Sequence, residues 1–101
     1  MNLEDVWGNI INFSDERKSH ILEHPEMNGQ DAKIAETIIQ PDIVIQSHSD
    51  QTVRIFHRLY KRLSIGDKHL CVVVKYIENH AFIITAYFTD KVKNGEIIWK
   101  K

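Results

Sequence analysis

The spacing of apolar side chains divides the chain into a helical first part and a strand-forming second part. Within residues 1–13 the apolar side chains recur at helical intervals, which predicts an amphipathic helix. Ser14 or Asp15 is placed to cap a second helix, and Pro25 ends it because proline cannot continue a helix. A third helix is predicted over about residues 31–40, where the apolar side chains again form a stripe.

After residue 40 the pattern changes to the two-residue alternation of β-strands. Strands are expected at residues 43–45, 52–60, 70–77, 81–88 and 96–99. A simple hairpin of the third and fourth strands pairs Val73 with Thr85, Cys71 with Tyr87 and Lys75 with Ile83. The predicted fold class is α+β, with N-terminal helices packed on an antiparallel sheet of about four strands.

Size and composition are those of one small globular domain, which we expect residues 1–101 to form. Of the 101 residues, 43% are hydrophobic and 27% are charged. The acidic start of the chain lacks the apolar segment of a secretion signal, and no apolar run is long enough to cross a bilayer. Cys71 is the only cysteine and has no internal disulfide partner, so we expect a reducing, cytoplasmic location and no membrane partner.

Charge is distributed unevenly along the chain, although the net charge is only −1. Residues 1–50 carry ten acidic and three basic side chains, whereas residues 51–101 carry four acidic and ten basic ones. The C-terminal half is therefore a candidate surface for an anionic partner. Two solvated faces that attract each other explain the same asymmetry, and charge alone does not separate these interpretations.

Two histidines one helical turn apart form the first candidate site. His20 and His24 would share a helix face, and histidine is suited to proton transfer near neutral pH. With Glu23 between them they match H-x-x-E-H, an inverted zinc-protease pattern, but Pro25 follows at once and the spacing indicates no third ligand. We therefore expect no metal and no other cofactor. We favour proton transfer over the alternative that these histidines only cap the helix or bond the following turn.

A basic strand and loop with interleaved aromatic residues form the second candidate site. Cations there would neutralise phosphates while aromatic rings stack on bases. The predicted nucleic-acid contacts are Arg54, His57, Arg58, Tyr60, Lys61, Arg62 and Lys68. An amphipathic strand followed by a solvated loop is an equally good interpretation of the same residues.

Three polar residues of the predicted hairpin form the third candidate site. The hydroxyls of Thr85 and Tyr87 are suited to hold a phosphate oxygen, and the Lys75 ammonium would share their face of the sheet. Threonine and tyrosine are also favoured in strands for their own sake, so the spacing by itself does not establish a site.

Several segments occur in an order that resembles a known group of nucleases. They are His20–Met27 (HILEHPEM), Pro41–Ile43, Val53–Arg58, Leu70–Lys75 (LCVVVK), Phe82–Tyr87 (FIITAY) and Lys91–Trp99. Over about residues 14–99 the chain is similar to the phage- and toxin-associated domains of the barnase/EndoU/colicin/RelE-like (BECR) nuclease group. The resemblance implies helices on a four-stranded antiparallel sheet. It also implies metal-independent cleavage of RNA, by attack of a 2′-hydroxyl on the adjacent phosphate.

The resemblance also assigns roles to residues of all three candidate sites. A histidine would accept the 2′-hydroxyl proton, cations would stabilise the phosphorane and hydroxyls would orient the phosphate. The resemblance places the family's histidine on His20 or His24, its basic strand position on Arg54 or Arg58, and its hydroxyls on Thr85 and Tyr87. In the mechanism that we expect, Lys75 joins Arg54 and Arg58 in stabilising the phosphorane. We therefore expect a toxin-like endoribonuclease acting on tRNA or mRNA, with an antitoxin or immunity protein as a further partner. A non-catalytic nucleic-acid-binding module and a protein-interaction domain stay as alternatives.

Overall fold

The computed structural model describes all 101 residues, which form seven strands and two α-helices. The strands are β1 (Asn2–Glu4), β2 (Ile10–Asn12), β3 (Ile43–Gln46), β4 (Val53–Leu63), β5 (Gly66–Ile77), β6 (His80–Thr89) and β7 (Glu96–Lys100). Helix α1 spans Asp15–Leu22 and helix α2 spans Asp31–Ile39, with a single 3-10 turn at Pro25–Met27 between them.

All seven strands belong to one curled, half-barrel sheet. Their order across the sheet is β1-β2-β6-β5-β4-β3-β7, and every neighbouring pair is antiparallel except β2 with β6. The first two strands of the chain thus lie beside β6, and the last strand lies beside β3. Early and late segments extend the central four strands at their two edges.

The predicted fold class is wrong in its proportions and in its number of strands. Strands hold 48% of the residues and helices 20%, so the protein is mostly sheet rather than helices on about four strands. The two later predicted helices correspond to α1 and α2. The helix predicted within residues 1–13 is instead the hairpin of β1 and β2.

Residues 1–13 form a hairpin because Asp5 organises the turn between the two strands. Its carboxylate accepts hydrogen bonds from the backbone N–H groups of Trp7 (2.9 Å) and Asn9 (2.7 Å), and from the Asn9 side chain (3.0 Å). Leu3 and Ile11 pair across the hairpin, and both are buried. The apolar spacing that suits a helix is therefore satisfied equally well by two short strands joined by a tight turn.

The two α-helices pack against the same side of the sheet, which we call the helix face. Ile21 of α1, and Ile34 and Ile38 of α2, are buried there. The strands contribute Val44, Phe56, Leu70, Val72, Val74, Ile83 and Ala86 to the same core. Every second position of the central strands is thereby turned towards the helices.

The opposite side of the sheet, which we call the open face, is covered by no helix. Its side chains occupy the alternate positions of the three longest strands. They are Val53, Ile55, His57 and Leu59 on β4, His69, Cys71, Val73 and Lys75 on β5, and Phe82, Thr85, Tyr87 and Thr89 on β6. Where no other segment covers this face, a ligand can reach the sheet directly.

The register of β5 and β6 decides which side chains reach the open face. The predicted hairpin pairings of Thr85 and Tyr87 are confirmed. Beyond Thr85 the register shifts, so that Lys75 pairs with Phe82 rather than with Ile83. The extra residue in β6 at this point is a β-bulge, which keeps Ile83 in the core and turns Phe82 to the open face.

The connection from β6 to β7, residues 90–95, crosses the open face, and we call it the strap. It has to pass over β5, β4 and β3, because these three strands separate β6 from β7 in the sheet. The Lys93 N–H contacts His57 of β4 (3.4 Å). At Gly95 the strap approaches β3 so closely that a Cβ atom would overlap Ile45 and the Gln46 carbonyl oxygen.

Candidate nucleic-acid interface

The open face brings Lys75, Thr85 and Tyr87 together, and the strap adds Lys93. Thr85 and Tyr87 are successive open-face residues of β6, and Lys75 lies diagonally from Thr85 on β5. Diagonal neighbours on one sheet face are about 7–8 Å apart, within reach of long side chains. Phe82 is the next side chain on this face, and it is 37% exposed. Two ammonium groups, two hydroxyls and an exposed ring thus share one surface.

Lys75 is held in place by an ion pair with Asp50 in the turn before β4. The Lys75 Nζ atom lies 3.3 Å from Asp50 Oδ2. Asp50 Oδ1 also accepts hydrogen bonds from the Thr52 hydroxyl (2.6 Å) and the Thr52 N–H (2.9 Å). The bonds from Thr52, followed by the contact with Lys75, lower the pKa of Asp50. Its carboxylate is therefore ionised and fixes Lys75 at one end of the open face.

Under the strap, His57 and Cys71 form a buried polar pair. The His57 Nδ1 atom lies 3.2 Å from Cys71 Sγ, and both residues are fully buried. Because the Lys93 N–H points at Nε2, that nitrogen is the acceptor and the ring proton sits on Nδ1. Nδ1–H therefore donates to the Cys71 sulfur.

Burial keeps both members of this pair uncharged. It lowers the pKa of His57 from 6.5 to about 4, with smaller contributions from the neighbouring His69 and Lys93 charges. It raises the pKa of the Cys71 thiol to about 12. At neutral pH the imidazole is thus neutral and the sulfur is a thiol. Neither group is exposed to act as a base or a nucleophile on a bound substrate.

Tyr87 lies at the edge of the strap, beneath Lys93. The Lys93 Nζ atom is 5.2 Å from the centre of the Tyr87 ring, within the range of a cation–π contact. Burial raises the pKa of Tyr87, and the Lys93 ammonium acts in the opposite direction. The hydroxyl is therefore protonated at neutral pH and is a hydrogen-bond donor beside a cation.

Arg54 lies on the helix face, between two aromatic rings. Its guanidinium carbon is 4.6 Å from the centre of the Trp7 ring and 4.1 Å from that of Tyr76. The Tyr76 hydroxyl donates to Asp5 (2.8 Å), and burial together with this bond raises the pKa of Tyr76. Arg54 therefore joins β4 to the first hairpin, and the sheet separates it from Lys75.

Arg58 and Tyr60 contact helix α2. The Arg58 Nε atom is 3.3 Å from Glu36 Oε1, and its NH1 group donates to the Gln40 carbonyl oxygen. The Tyr60 hydroxyl donates to the same Glu36 oxygen (2.6 Å), and burial together with this bond raises the pKa of Tyr60 to about 12. These two predicted nucleic-acid contacts are occupied in holding α2 against β4.

Lys61, Arg62 and Lys68 lie at the far end of the β4–β5 hairpin. Lys61 and Arg62 are exposed, and the Arg62 N–H donates to Asp67 Oδ1 (2.8 Å). Lys68 forms an ion pair with Asp90, where the strap begins. These cations therefore form a separate positive tip on the sheet.

His20 and His24 are exposed at the end of α1 and do not share a helix face. The helix ends at Leu22, and His24 has an extended backbone with φ −69° and ψ 130°. Pro25 explains this conformation, because a residue before proline is driven out of the helical region. No three His, Cys, Asp or Glu side chains of the protein are grouped to hold a metal ion.

The structure thus brings together three of the six predicted catalytic residues. Lys75, Thr85 and Tyr87 share the open face, whereas Arg54 lies on the opposite face and the two histidines belong to the helical side. Lys93, which joins the cluster, was missed by sequence reasoning. Its position depends on the strap crossing three strands, and no local spacing records that path.

Comparison of the chain with protein-family models, with curated proteins and with solved structures finds no match. Neither α-helix has the length and apolar character that spanning a membrane would require.

Proposed function

We propose that this protein binds single-stranded RNA on the open face of its sheet. The observation that carries the proposal is the clustering of Lys75, Lys93, Thr85 and Tyr87 on the one face that no helix covers. The ammonium groups are suited to phosphates, and the exposed Phe82 ring offers a surface on which a base can stack.

The dimensions of this surface suit a short stretch of unpaired RNA. From Phe82 to Tyr87 the strand is about 17 Å long. Other RNA-binding sheets stack two or three bases on aromatic side chains of their central strands. A duplex buries its bases in stacked pairs, so we propose unpaired RNA as the ligand.

The proposal is tested by the salt dependence of RNA binding, measured by the anisotropy of a labelled single-stranded oligonucleotide. Combined Lys75→Ala and Lys93→Ala should weaken binding and reduce the slope of log affinity against log salt by about 1.4, because two phosphate contacts are lost. The charge-matched control is Lys18→Ala with Lys33→Ala, on α1 and α2, which should leave the slope unchanged. Equal effects of both pairs, or no binding by the wild type, would reject the proposal.

A second candidate function is metal-independent cleavage of RNA at the same face. It is favoured by the ammonium groups, which are suited to stabilise charge on a phosphorane, beside the hydroxyls of Thr85 and Tyr87. The resemblance to the nuclease group additionally proposes His20 or His24 as the proton acceptor. Both histidines belong to the helical side of the molecule, so this role would require cleavage away from the open face.

Cleavage is tested by incubating RNA with the protein and a chelator and analysing the products for 2′,3′-cyclic phosphate ends. The nuclease proposal expects such products. Cleavage at the open face should be unaffected by His20→Ala or His24→Ala, whereas a loss of about 10²–10⁴-fold in either variant would place the reaction on the helical side. Binding without products would leave a non-catalytic RNA-binding module. A protein that neither binds nor cleaves RNA would favour the protein-interaction alternative.

The cellular setting belongs to the same proposal. A fully buried, free Cys71 suits a reducing compartment, so we propose that the protein acts on RNA in the cytoplasm. An antitoxin or immunity protein is proposed only together with the nuclease activity, since a non-cleaving module needs no inhibitor. Co-purification of a second chain with the active protein would test that partner.

A further inference from the structure

The polar groups between the strap and the sheet form a chain of contacts that begins and ends at Lys93. The Lys93 N–H reaches His57 Nε2 (3.4 Å), and His57 Nδ1 reaches Cys71 Sγ (3.2 Å). Cys71 pairs with Tyr87 across β5 and β6, and the Tyr87 ring lies beneath the Lys93 ammonium. The backbone and the side chain of Lys93 are thus both fixed against the open face.

We propose that the Lys93 ammonium and the Tyr87 hydroxyl together form a phosphate-binding subsite, and that His57 is its positioning residue. The inference rests on the RNA-binding function proposed above. Both groups are hydrogen-bond donors, and a phosphodiester offers two unesterified oxygens that accept such bonds. The class of ligand is therefore one backbone phosphate of the bound RNA.

The charge environment of Lys93 separates it from Lys75. Lys75 is paired with Asp50, whereas none of the five ion pairs of the protein includes Lys93. Its ammonium nitrogen lies 5.2 Å from the centre of the Tyr87 ring, and no carboxylate forms an ion pair with it. A phosphate arriving there would gain a charge-assisted hydrogen bond without first displacing a carboxylate.

His57 is suited to position this subsite because it is buried, neutral and an acceptor at Nε2. The N–H group that donates to His57 Nε2 is that of Lys93, the residue that also carries the ammonium group. The strap is also held at its start, by the ion pair of Asp90 with Lys68, and at Gly95, but neither contact orients the Lys93 ammonium. Replacing His57 by a residue without an acceptor should therefore free Lys93 while the rest of the strap stays in place.

The test compares the salt slope of single-stranded RNA binding in four variants. Lys93→Ala should lower the slope by about 0.7, the value of one phosphate contact on a single strand. His57→Leu should lower it by the same amount and His57→Gln, which keeps an acceptor, by less. Combining His57→Leu with Lys93→Ala should lower it no further than Lys93→Ala alone. Tyr87→Phe keeps the ring and should weaken binding about fivefold through the lost hydrogen bond.

The matched control is Lys91→Ala, which removes one strap charge that has no contact with His57 or Tyr87. Its effect should add to that of His57→Leu instead of being masked by it. In RNA-free protein, trypsin should cut after Lys93 faster in His57→Leu than in the wild type. If His57→Leu does not fold, the coupling between Lys93→Ala and Tyr87→Phe decides whether Lys93 and Tyr87 share one phosphate subsite.

The two proposals fail in different ways. If the wild type binds RNA but Lys93→Ala keeps the full salt slope, the subsite is wrong and RNA binding by the open face stands. Additive effects of Lys93→Ala and Tyr87→Phe would also overturn the shared subsite. If the wild type binds no RNA, the proposed function itself is wrong, and the subsite falls with it.

Discussion

At the scale of single residues, His57 shows how this small protein buries a polar side chain. Both ring nitrogens have partners, one on the strap and one on β5, so burial leaves no hydrogen bond unmade. The cost falls on the charged form of the ring, which has no carboxylate near it and faces the His69 and Lys93 charges. The protonation of His57 should therefore be coupled to unfolding.

This coupling predicts a loss of stability in mild acid. Between pH 6.5 and about 4 the unfolded chain binds a proton at His57 that the folded protein does not, so stability falls as the pH falls. The full effect would be about 3 kcal/mol. Urea unfolding across this pH range measures it. His57→Leu should flatten the dependence and the exposed His20→Leu should not. If the free energy of unfolding of the wild type does not change between pH 6.5 and 4, the prediction is contradicted.

Arg54 is expected to serve stability rather than RNA binding. Arg54→Ala removes its two aromatic contacts and should lower the free energy of unfolding by about 1–2 kcal/mol. The RNA salt slope should stay unchanged, since the residue lies on the helix face. Arg54→Lys, which keeps the charge but loses the flat stacking group, should recover part of the stability. An unaltered stability with a reduced salt slope would place Arg54 in the interface instead.

The contrast between Arg54 and Lys75 shows how far sequence reasoning carries at this scale. The alternation of β4 correctly divides its side chains between two faces. It does not say which face the helices cover, because Arg54, Phe56 and Arg58 form as good a solvent-facing strip as a helix-facing one. That information lies in α2 and in the first hairpin, whose contacts with β4 are distant in sequence.

At the scale of elements, the strap is the segment that makes the open face a site. It carries a cation across the sheet and buries part of the central strands beneath it. Along this path the chain comes very close to β3 at residue 95, and glycine fits there because it has no Cβ atom. A side chain at that point would push the strap away from the sheet.

Gly95→Ala is therefore expected to destabilise the protein by about 1–3 kcal/mol, through overlap with β3. Gly29→Ala is the matched control, because Gly29 also has a positive φ (+77°) but open space around it. The control measures the cost of a Cβ atom at a left-handed φ without any overlap, which is about 1–2 kcal/mol; the φ of Gly95 itself is +154°. Chemical unfolding compares the two variants. Equal losses would show that the close approach to β3 carries no energetic weight.

The first hairpin shows why the elements could be predicted only in part. Long strands with steady alternation, such as β4, β5 and β6, follow from their own side chains. In residues 1–13 the same apolar positions fit both a helix and a hairpin, and the Asp5 carboxylate decides between them. The Asp5 turn also receives the Tyr76 hydroxyl from β5, a contact that no local pattern indicates.

At the scale of the whole molecule, the sheet has a continuous centre and added edges. β4, β5 and β6 follow one another in sequence and in space, whereas the pairing of β2 with β6 extends over only one residue pair. The candidate site lies on the continuous centre, with the strap as its one late component. The position of Lys75, Thr85 and Tyr87 was therefore predictable, and that of Lys93 was not.

Hydrogen exchange should follow this division. Backbone amides of β4, β5 and β6 should be the slowest to exchange, because β5 is paired along most of its length with β4 on one side and β6 on the other. Amides of β1, β2 and β7 should exchange through smaller openings that leave the centre intact. Mass spectrometry of exchanged peptides measures the difference. Uniform protection of all seven strands would instead show that the sheet opens only as a single unit.

The order of strands also has a consequence during synthesis. The pair Asn12 and Phe82 joins β2 to β6, and Val44 pairs with Trp99 of β7. A ribosome delivers the first member of each pair long before the second, so β2 and β3 emerge with unmatched backbone edges. Pairings between distant segments form slowly because a large loop must close first. The nascent chain is therefore exposed to wrong edge-to-edge pairing until its final strand arrives.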